Sequence, residues 1–520
     1  MSSSVRVLVL ASLVAIHLTA CGSNVTPTAG ARAPKSTPHW VSGRVRFEAR
    51  DATPRGVSRQ VSLRPARYVL VEAIDAHGAI VGRTTTDPTG HFQIEVHEAS
   101  RLRVSAAVSH RGHVVAVSPS REGTPAHHFD FPLERSSEPL ELVLPDVDPH
   151  GVGGAFHILD TALRGLFAVR EWTGHTLPEL VIQWERGGPN RWSTYEGEFP
   201  KGSGKRLVRL LGGEPGNREH SDGDEHDEHV VLHELGHFVF DVLSTDSTPG
   251  GSHPGGHLVE PGLAWEEGRA TWFAAAVLGA PRYLDTVGME PFGRLVVDAD
   301  LERSASGPKG LGSQESVAEI LWDLADGAGG LLDLDGDPVA LGPSVVLREM
   351  IALSEDHGAY PSLSTFLAHL SDRKLVEGRS LHELLLAGGH DPELPQRTWP
   401  FDIRPGERVA GKIDSVNAPE LGGPALKATG IDAVRVYRFY LDRPSFVEAR
   451  LKIFGSGHPD SGEDLDLELR DIRAKLISRS NGTSNEETVA RFLRPGWYVI
   501  YVRDAGRGAN AAFELTVRAE

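Results

Sequence analysis

At 520 residues the chain is long for one domain of roughly 100–200 residues, so two to four domains are expected. Lys and Arg number 53 against 71 Asp and Glu, a net charge of −18, and no basic tract is interleaved with aromatics. Phosphate contacts need clustered positive charge, so nucleic acid is excluded as an expected partner; a lone cysteine excludes an intramolecular disulfide framework.

The first residues place Arg6 ahead of an apolar run from Val7 to Leu18, too short for a stable transmembrane helix and expected to be an export signal over 1–20. Its end, Leu18-Thr19-Ala20-Cys21, resembles the lipobox of bacterial lipoproteins. The resemblance implies that Cys21 is lipidated and anchors a water-exposed body to the cell envelope. Gly22 provides no aspartate-type inner-membrane retention cue, which points to the outer membrane. Residues 21–39, small, polar and proline-bearing, read as a flexible tether.

From 40 to 146 short alternating stretches such as VSGRVRFEA, HFQIEVH and HVVAVS, separated by glycine-bearing turns, predict an N-terminal antiparallel β-sandwich. The segment Val71–Gly78, followed by Thr84–Phe92 with its Asp87-Pro88-Thr89-Gly90 turn, resembles transthyretin-like, carboxypeptidase-regulatory modules. That resemblance implies an accessory domain without chemistry of its own.

Residues 147–397 read mainly as helices, near Glu225–Val242, Pro261–Leu278 and Ser316–Leu324, with shorter candidates at Leu363–Leu370 and Leu381–Leu386. The first contains His233-Glu234-Leu235-Gly236-His237. Residues four apart share a helix face, so the two imidazoles can reach one tetrahedral ion, with Glu234 beside them as a general base. Flanking Val230, Val231, Leu232, Leu235, Phe238 and Val239 are positioned to bury the helix and fix the ligand directions.

Two imidazoles leave a zinc site incomplete. Phe240 stands where the metzincin spacing after His237 needs glycine, so the third ligand is sought downstream. The stretch Leu263-Ala264-Trp265-Glu266-Glu267-Gly268-Arg269-Ala270 resembles the glutamate helix of gluzincins. The resemblance implies a mainly helical, zincin-like α+β catalytic domain, one catalytic Zn²⁺, and Glu267 as third ligand; Glu266, His253 and His257 stay open as rivals. Of these, His253 and His257 lie on a glycine-rich loop that can also approach substrate. Tyr283, His357 and Tyr360 are candidate oxyanion donors, and Glu319 is a candidate for binding a substrate amine or supporting a ligand.

Asp333, Asp335 and Asp337 alternate, but Pro338 and Ser344 stand where an EF-hand needs glycine and glutamate, leaving at most an irregular calcium site. From 398 to 520, strand patterns including RVAGKID, AVRVYRFYL and WYVIYVRD predict a second sandwich that resembles bacterial pre-peptidase C-terminal domains. The expected function is hydrolysis of peptide or protein substrates, with endopeptidase as the default. The alternative is a catalytically inactive zincin-fold envelope lipoprotein acting as a binding or structural module.

Overall fold

The computed structural model describes residues 39–520 except 135–137, 148–150, 246–247, 249, 304–306, 356–357, 359, 419–425 and 455–462. The expected signal 1–20, Cys21, nearly all of the tether and His357 therefore lie outside the described residues.

The architecture is multidomain, with mixed α/β parts and a C-terminal sandwich. In the N-terminal part, a four-stranded sheet is built on the long strand His39–Ala49, whose inner face buries Val45, Phe47 and Ala49. Strict alternation of apolar and polar residues puts these side chains on one face, which is why the strand is half-buried.

The facing sheet departs from the expected domain division. It runs through Ile80–Thr85, Val69–Asp75, Ala99–His110 and His113–Ser118, then continues without a break into Leu180–Gln183, Arg206–Arg209 and Thr194–Glu198. Leu180–Gln183 pairs in parallel with His113–Ser118, Leu180 opposite Val115 and Ile182 opposite Val117. The N-terminal sandwich is thus not a separate accessory unit ending at 146, because one eight-stranded sheet and one apolar core cross that position. All four residues of Leu180–Gln183 are buried, as a central parallel strand covered on both faces requires.

Helix α1 (Gly153–Thr173) lies across this sheet and buries Phe156, Ile158, Leu159, Leu163 and Leu166. Helices α2 (Glu228–Leu243), α3 (Pro261–Leu278) and α4 (Gln314–Ala325) pack beside one another, followed by α5 (Pro343–Glu355), α6 (Leu363–Asp372) and α7 (Gly378–Ala387). Between α3 and α4 stands a hairpin, Arg282–Val287 with Arg294–Asp300.

Two glycines set the helix spacing. A Cβ on Gly236 of α2 would meet Ala270 Cα at 3.1 Å, and one on Gly268 of α3 would meet Val317 Cβ at 2.4 Å, so each lets a neighbouring helix approach closely.

The C-terminal part is a five-stranded sheet facing a four-stranded one over its own core of residues such as Phe439, Leu451, Leu467, Ile500 and Phe513. It begins with Phe401–Asp402 and ends with Asn510–Ala519.

Candidate metal centre

Why α2 sits where it does follows from its sequence. Val231, Leu232, Leu235, Phe238, Val239 and Phe240 are buried, each contributing ~1.5–3 kcal/mol relative to exposure, so the helix cannot rotate without exposing several of them. Its start is tied to the first sheet and to α1: Glu228 receives Arg64 and Arg164, and its carboxylate lies 3.1 Å from His157 Nε2. Asp227 accepts from Thr286 Oγ1 at 2.9 Å. Both acids therefore position the helix through these partners.

With α2 fixed, His233 and His237 project toward α3. Their Nε2 atoms are 3.2 Å apart, and Glu267 Oε2 lies 3.2 Å from that of His233 and 3.3 Å from that of His237. Ligands at ~2.0–2.1 Å around a tetrahedral zinc are separated by ~3.3 Å, so the three atoms form one face of such a tetrahedron. Two imidazoles and one carboxylate are also the donor chemistry of a catalytic zinc site with an open fourth position. The residues present fit zinc, and they form one of the groups of potential metal donors among the described residues.

The charges agree with this geometry. Burial acts against ionisation of Glu267, yet His237, His253 and His233 hold its carboxyl well below the usual range. Burial also opposes protonation of His237, but the Glu267 charge and hydrogen bond push its imidazole up to about 9. The site attracts positive charge. Thr271 Oγ1 lies 3.2 Å from His233 Nδ1 and sets the ring orientation, a partner that the motif itself does not reveal.

Glu266 points elsewhere. It pairs with Arg269, which is fully buried, donates to Ser244 Oγ at 3.1 Å and lies 4.2 Å from the Phe240 ring centroid. Helical phase separates the two adjacent glutamates as expected, and only Glu267 joins the histidines.

Glu234 is buried beside the donor triangle. Burial raises its carboxyl, with His237 and His233 acting in the opposite direction, and the Tyr195 backbone N–H donates to it. A carboxylate raised by burial and held beside a cleft suits proton transfer.

The cleft itself has a volume of about 360 Å³, lined by Trp192, Ser193, His233, Glu234, His253, Glu267 and Tyr283 among others. A second opening of about 340 Å³ lies on the Tyr195 and His237 side of the same residues. Tyr283 stands on the hairpin with its ring centroid 5.8 Å from that of His233. Burial and the surrounding carboxylates keep its phenol well above its ordinary value, hence protonated at neutral pH.

The glycine-rich loop brings His253 Nε2 to 3.5 Å from Glu267 Oε1. Gln314 Nε2 donates to His253 O at 3.3 Å, and Gly256 N donates to Glu315 at 2.7 Å, so the first turn of α4 holds this loop. His257 is half-buried on the same loop and is not among the residues lining the cleft.

Two other expectations are corrected. Tyr360 is fully buried, bonded to the Tyr501 hydroxyl between the helices and the C-terminal sandwich, and cannot face substrate. Glu319 turns away from the cleft to pair with Lys309, with His390 Nε2 at 3.4 Å. In both cases the apolar packing of the carrying segment, invisible in local spacing, decides the direction.

The edge strand Thr194–Glu198, the hairpin bearing Tyr283 and an acidic group Asp222, Asp224 and Asp285 in the cleft wall were not foreseen. Ser193 donates to Asp224, and burial raises Asp285 to about 6. The density of acids in 222–228 was the signal available for the last of these.

Residues 218–336 match the family model described as the mycolysin C-terminal domain. The matched stretch contains His233, Glu234, His237 and Glu267. No curated protein matches the chain. Among solved structures, the pre-peptidase C-terminal domain of a collagenase from Bacillus anthracis is 16% identical and covers 23% of this chain and 93% of its own, with a TM-score of 0.17. The PliG inhibitor of g-type lysozyme from Aeromonas hydrophila is 15% identical over 23% of this chain and 96% of its own, with a TM-score of 0.15. That of Salmonella Typhimurium is 12% identical over 23% and 99%, with a TM-score of 0.14. Scores this low decide nothing about the chain's activity.

Proposed function

We propose that this chain is a zinc-dependent, gluzincin-like peptidase. The reading rests above all on the ~3.3 Å triangle of two imidazole nitrogens and one carboxylate oxygen, with a buried glutamate beside it. His233, His237 and Glu267 would hold the ion, which when bound supplies Lewis acidity toward a carbonyl and toward water. Glu234 takes the proton of the attacking water and returns it to the departing amine. Tyr283, kept protonated by its surroundings, donates to the carbonyl oxygen as negative charge gathers on it.

Substrate placement is supported by the edge strand. Among the described residues Thr194–Glu198 pairs only with Arg206–Arg209, so its other edge, where the Tyr195 N–H meets Glu234, faces the cleft, beside which an extended peptide can lie. Trp192, 65% exposed at the cleft mouth, offers an apolar contact for a side chain. An endopeptidase suits a cleft with two openings flanking the donors.

The proposal extends to location. A lipidated Cys21 and a tether would keep this catalytic body at the bacterial envelope, on the outer membrane, acting on peptides or proteins there. Among the described residues no helix is long and apolar enough to cross a membrane.

The test is to measure bound zinc and cleavage of an unbiased peptide library in the wild type and in Glu234→Gln and Glu267→Gln. Glu234→Gln should retain stoichiometric zinc and lose turnover by at least ~10²-fold, whereas Glu267→Gln should lose zinc itself. Equal turnover in Glu234→Gln and the wild type would remove the peptidase reading.

A further inference from the structure

The two oxygens of Glu267 have different partners. Oε2 closes the donor triangle, 3.2 Å from His233 Nε2 and 3.3 Å from His237 Nε2. Oε1 lies 3.5 Å from Nε2 of His253, on the loop that joins α2 to α3. A carboxylate binds a cation through one oxygen or through both, and binding through both takes up space that an open fourth position needs. A donor held on Oε1 therefore decides which of the two modes Glu267 adopts.

His253 is not itself one of the donors. Ligand atoms of His233, His237 and Glu267 lie within 4.8 Å of one another, and His253 stands outside that group. Its side chain is 40% exposed and lines both openings of the cleft. An exposed histidine on a glycine-rich loop ordinarily has no fixed direction, so its place beside Glu267 depends on what holds the loop.

Two elements hold it, on successive carbonyls. Thr429 Oγ1, from the C-terminal part, donates to Ser252 O at 2.7 Å, and Gln314 Nε2 of α4 donates to His253 O at 3.3 Å. Just downstream, residues 258–260 run antiparallel to 429–431: the Glu260 N–H donates to Thr429 O at 2.8 Å and the Ile431 N–H to Leu258 O at 3.2 Å. Gly251 has φ +131°, and a Cβ there would lie 2.6 Å from Thr429 Cγ2, so glycine lets the loop pass this close. The backbone on either side of the imidazole is thus fixed by α4 and by the C-terminal part together.

We propose that His253 is a positioning residue of the metal centre: its Nε2–H donates to Glu267 Oε1 and restricts the carboxylate to coordination through Oε2 alone, while Thr429 and Gln314 aim the imidazole. Carboxylates that ligate a metal are commonly held by such a partner, whose loss weakens binding even though it never touches the ion. The inference rests on the zinc-peptidase reading of the donor triangle. It gives the C-terminal part a hold on the centre through one backbone carbonyl, that of Ser252.

The experiment uses the full chain, loaded with zinc or with Co²⁺, in the wild type, His253→Ala, His253→Gln, Thr429→Val and Glu267→Gln. Zinc affinity is read by competition with a chelator, and coordination from the visible spectrum of the Co²⁺ form. His253→Ala should weaken zinc by roughly 10–100-fold and lower the Co²⁺ absorption as the second oxygen of Glu267 enters coordination. His253→Gln, whose amide N–H can reach Oε1, should recover most of both, and Thr429→Val should fall between Ala and the wild type. Affinity and spectrum unchanged in His253→Ala, or equal losses in the Ala and Gln variants, would overturn the role of His253 while leaving the triangle intact. Stoichiometric zinc in Glu267→Gln would instead overturn the triangle and this inference with it.

Discussion

Trp399 Nε1 donates a 3.0 Å hydrogen bond to Glu260 Oε1, while Glu260 Oε2 accepts from the Leu263 backbone N–H at 2.8 Å and caps α3. The segment leading into the C-terminal sandwich is therefore bonded to the cap of the helix that carries Glu267. Tyr360 and Tyr501 join their hydroxyls in the same buried region. The C-terminal sandwich thereby supports the donor triangle through the start of one helix.

Replacing Trp399 by Phe keeps most of the apolar contact and removes the 3.0 Å indole hydrogen bond to Glu260 Oε1. We expect a loss of ~1–3 kcal/mol in stability, the range for one hydrogen bond to a buried charged group. Chemical denaturation measures the first effect; zinc affinity, read by competition with a chelator, should weaken in parallel. Unchanged values in both would show that the two parts are coupled elsewhere.

Tyr283→Phe removes one hydroxyl from a buried ring without altering its packing. If the phenol donates to the carbonyl oxygen as charge develops, kcat should fall by ~10²–10³-fold with KM nearly constant, because the interaction is stronger in the transition state than in the ground state. A change confined to KM would assign the ring to substrate binding instead.

The sequence made His233 and His237 legible because helix periodicity is local: residues four apart share a face whatever the rest of the chain does, whereas Glu267 was reached only through the likeness of its helix to the glutamate helix of gluzincins. It also made most strands of both β-regions legible, since alternation reports a half-buried sheet. It did not reveal that Leu180–Gln183 extends the N-terminal sheet, because a buried parallel strand is a uniformly apolar run that resembles a helix segment, and its neighbour lies more than 60 residues earlier in the chain. Helices α1 and α5 were missed for a related reason, their apolar faces being diluted by glycine, proline and charge. Among the site candidates, Tyr283 could be placed only through the hairpin pairing of Arg282–Val287 with Arg294–Asp300, and Tyr360 and Glu319 only through burial.

Gly268 follows Glu267, and a Cβ there would lie 2.4 Å from Val317 Cβ and 2.6 Å from Gln314 O. Alanine ordinarily stabilises a helix relative to glycine by roughly 0.5–1 kcal/mol. Here the clash includes a backbone oxygen that cannot swing aside, so Gly268→Ala should instead destabilise by ~1–3 kcal/mol and loosen zinc. Melting and metal content together check this; a gain in stability would mean that α4 yields freely, contrary to the packing.

The pH dependence of stability provides a separate test at His229. Burial holds its imidazole down to about 4, with Glu228 and the Arg282 backbone acting in the opposite direction, and its Nε2 is buried without a hydrogen-bond partner. The unfolded chain takes up this proton near pH ~6.5 and the folded chain only near 4. Between those values the unfolded state binds more protons, so stability falls as the pH drops from 6.5 toward 4, by at most ~3 kcal/mol from this residue. In His229→Gln the slope over that window should flatten while the value at pH 7.5 changes less. Urea titrations of both proteins at pH 7.5, 6.0 and 5.0 measure the difference; parallel pH profiles would show that His229 protonates as readily in the fold as outside it.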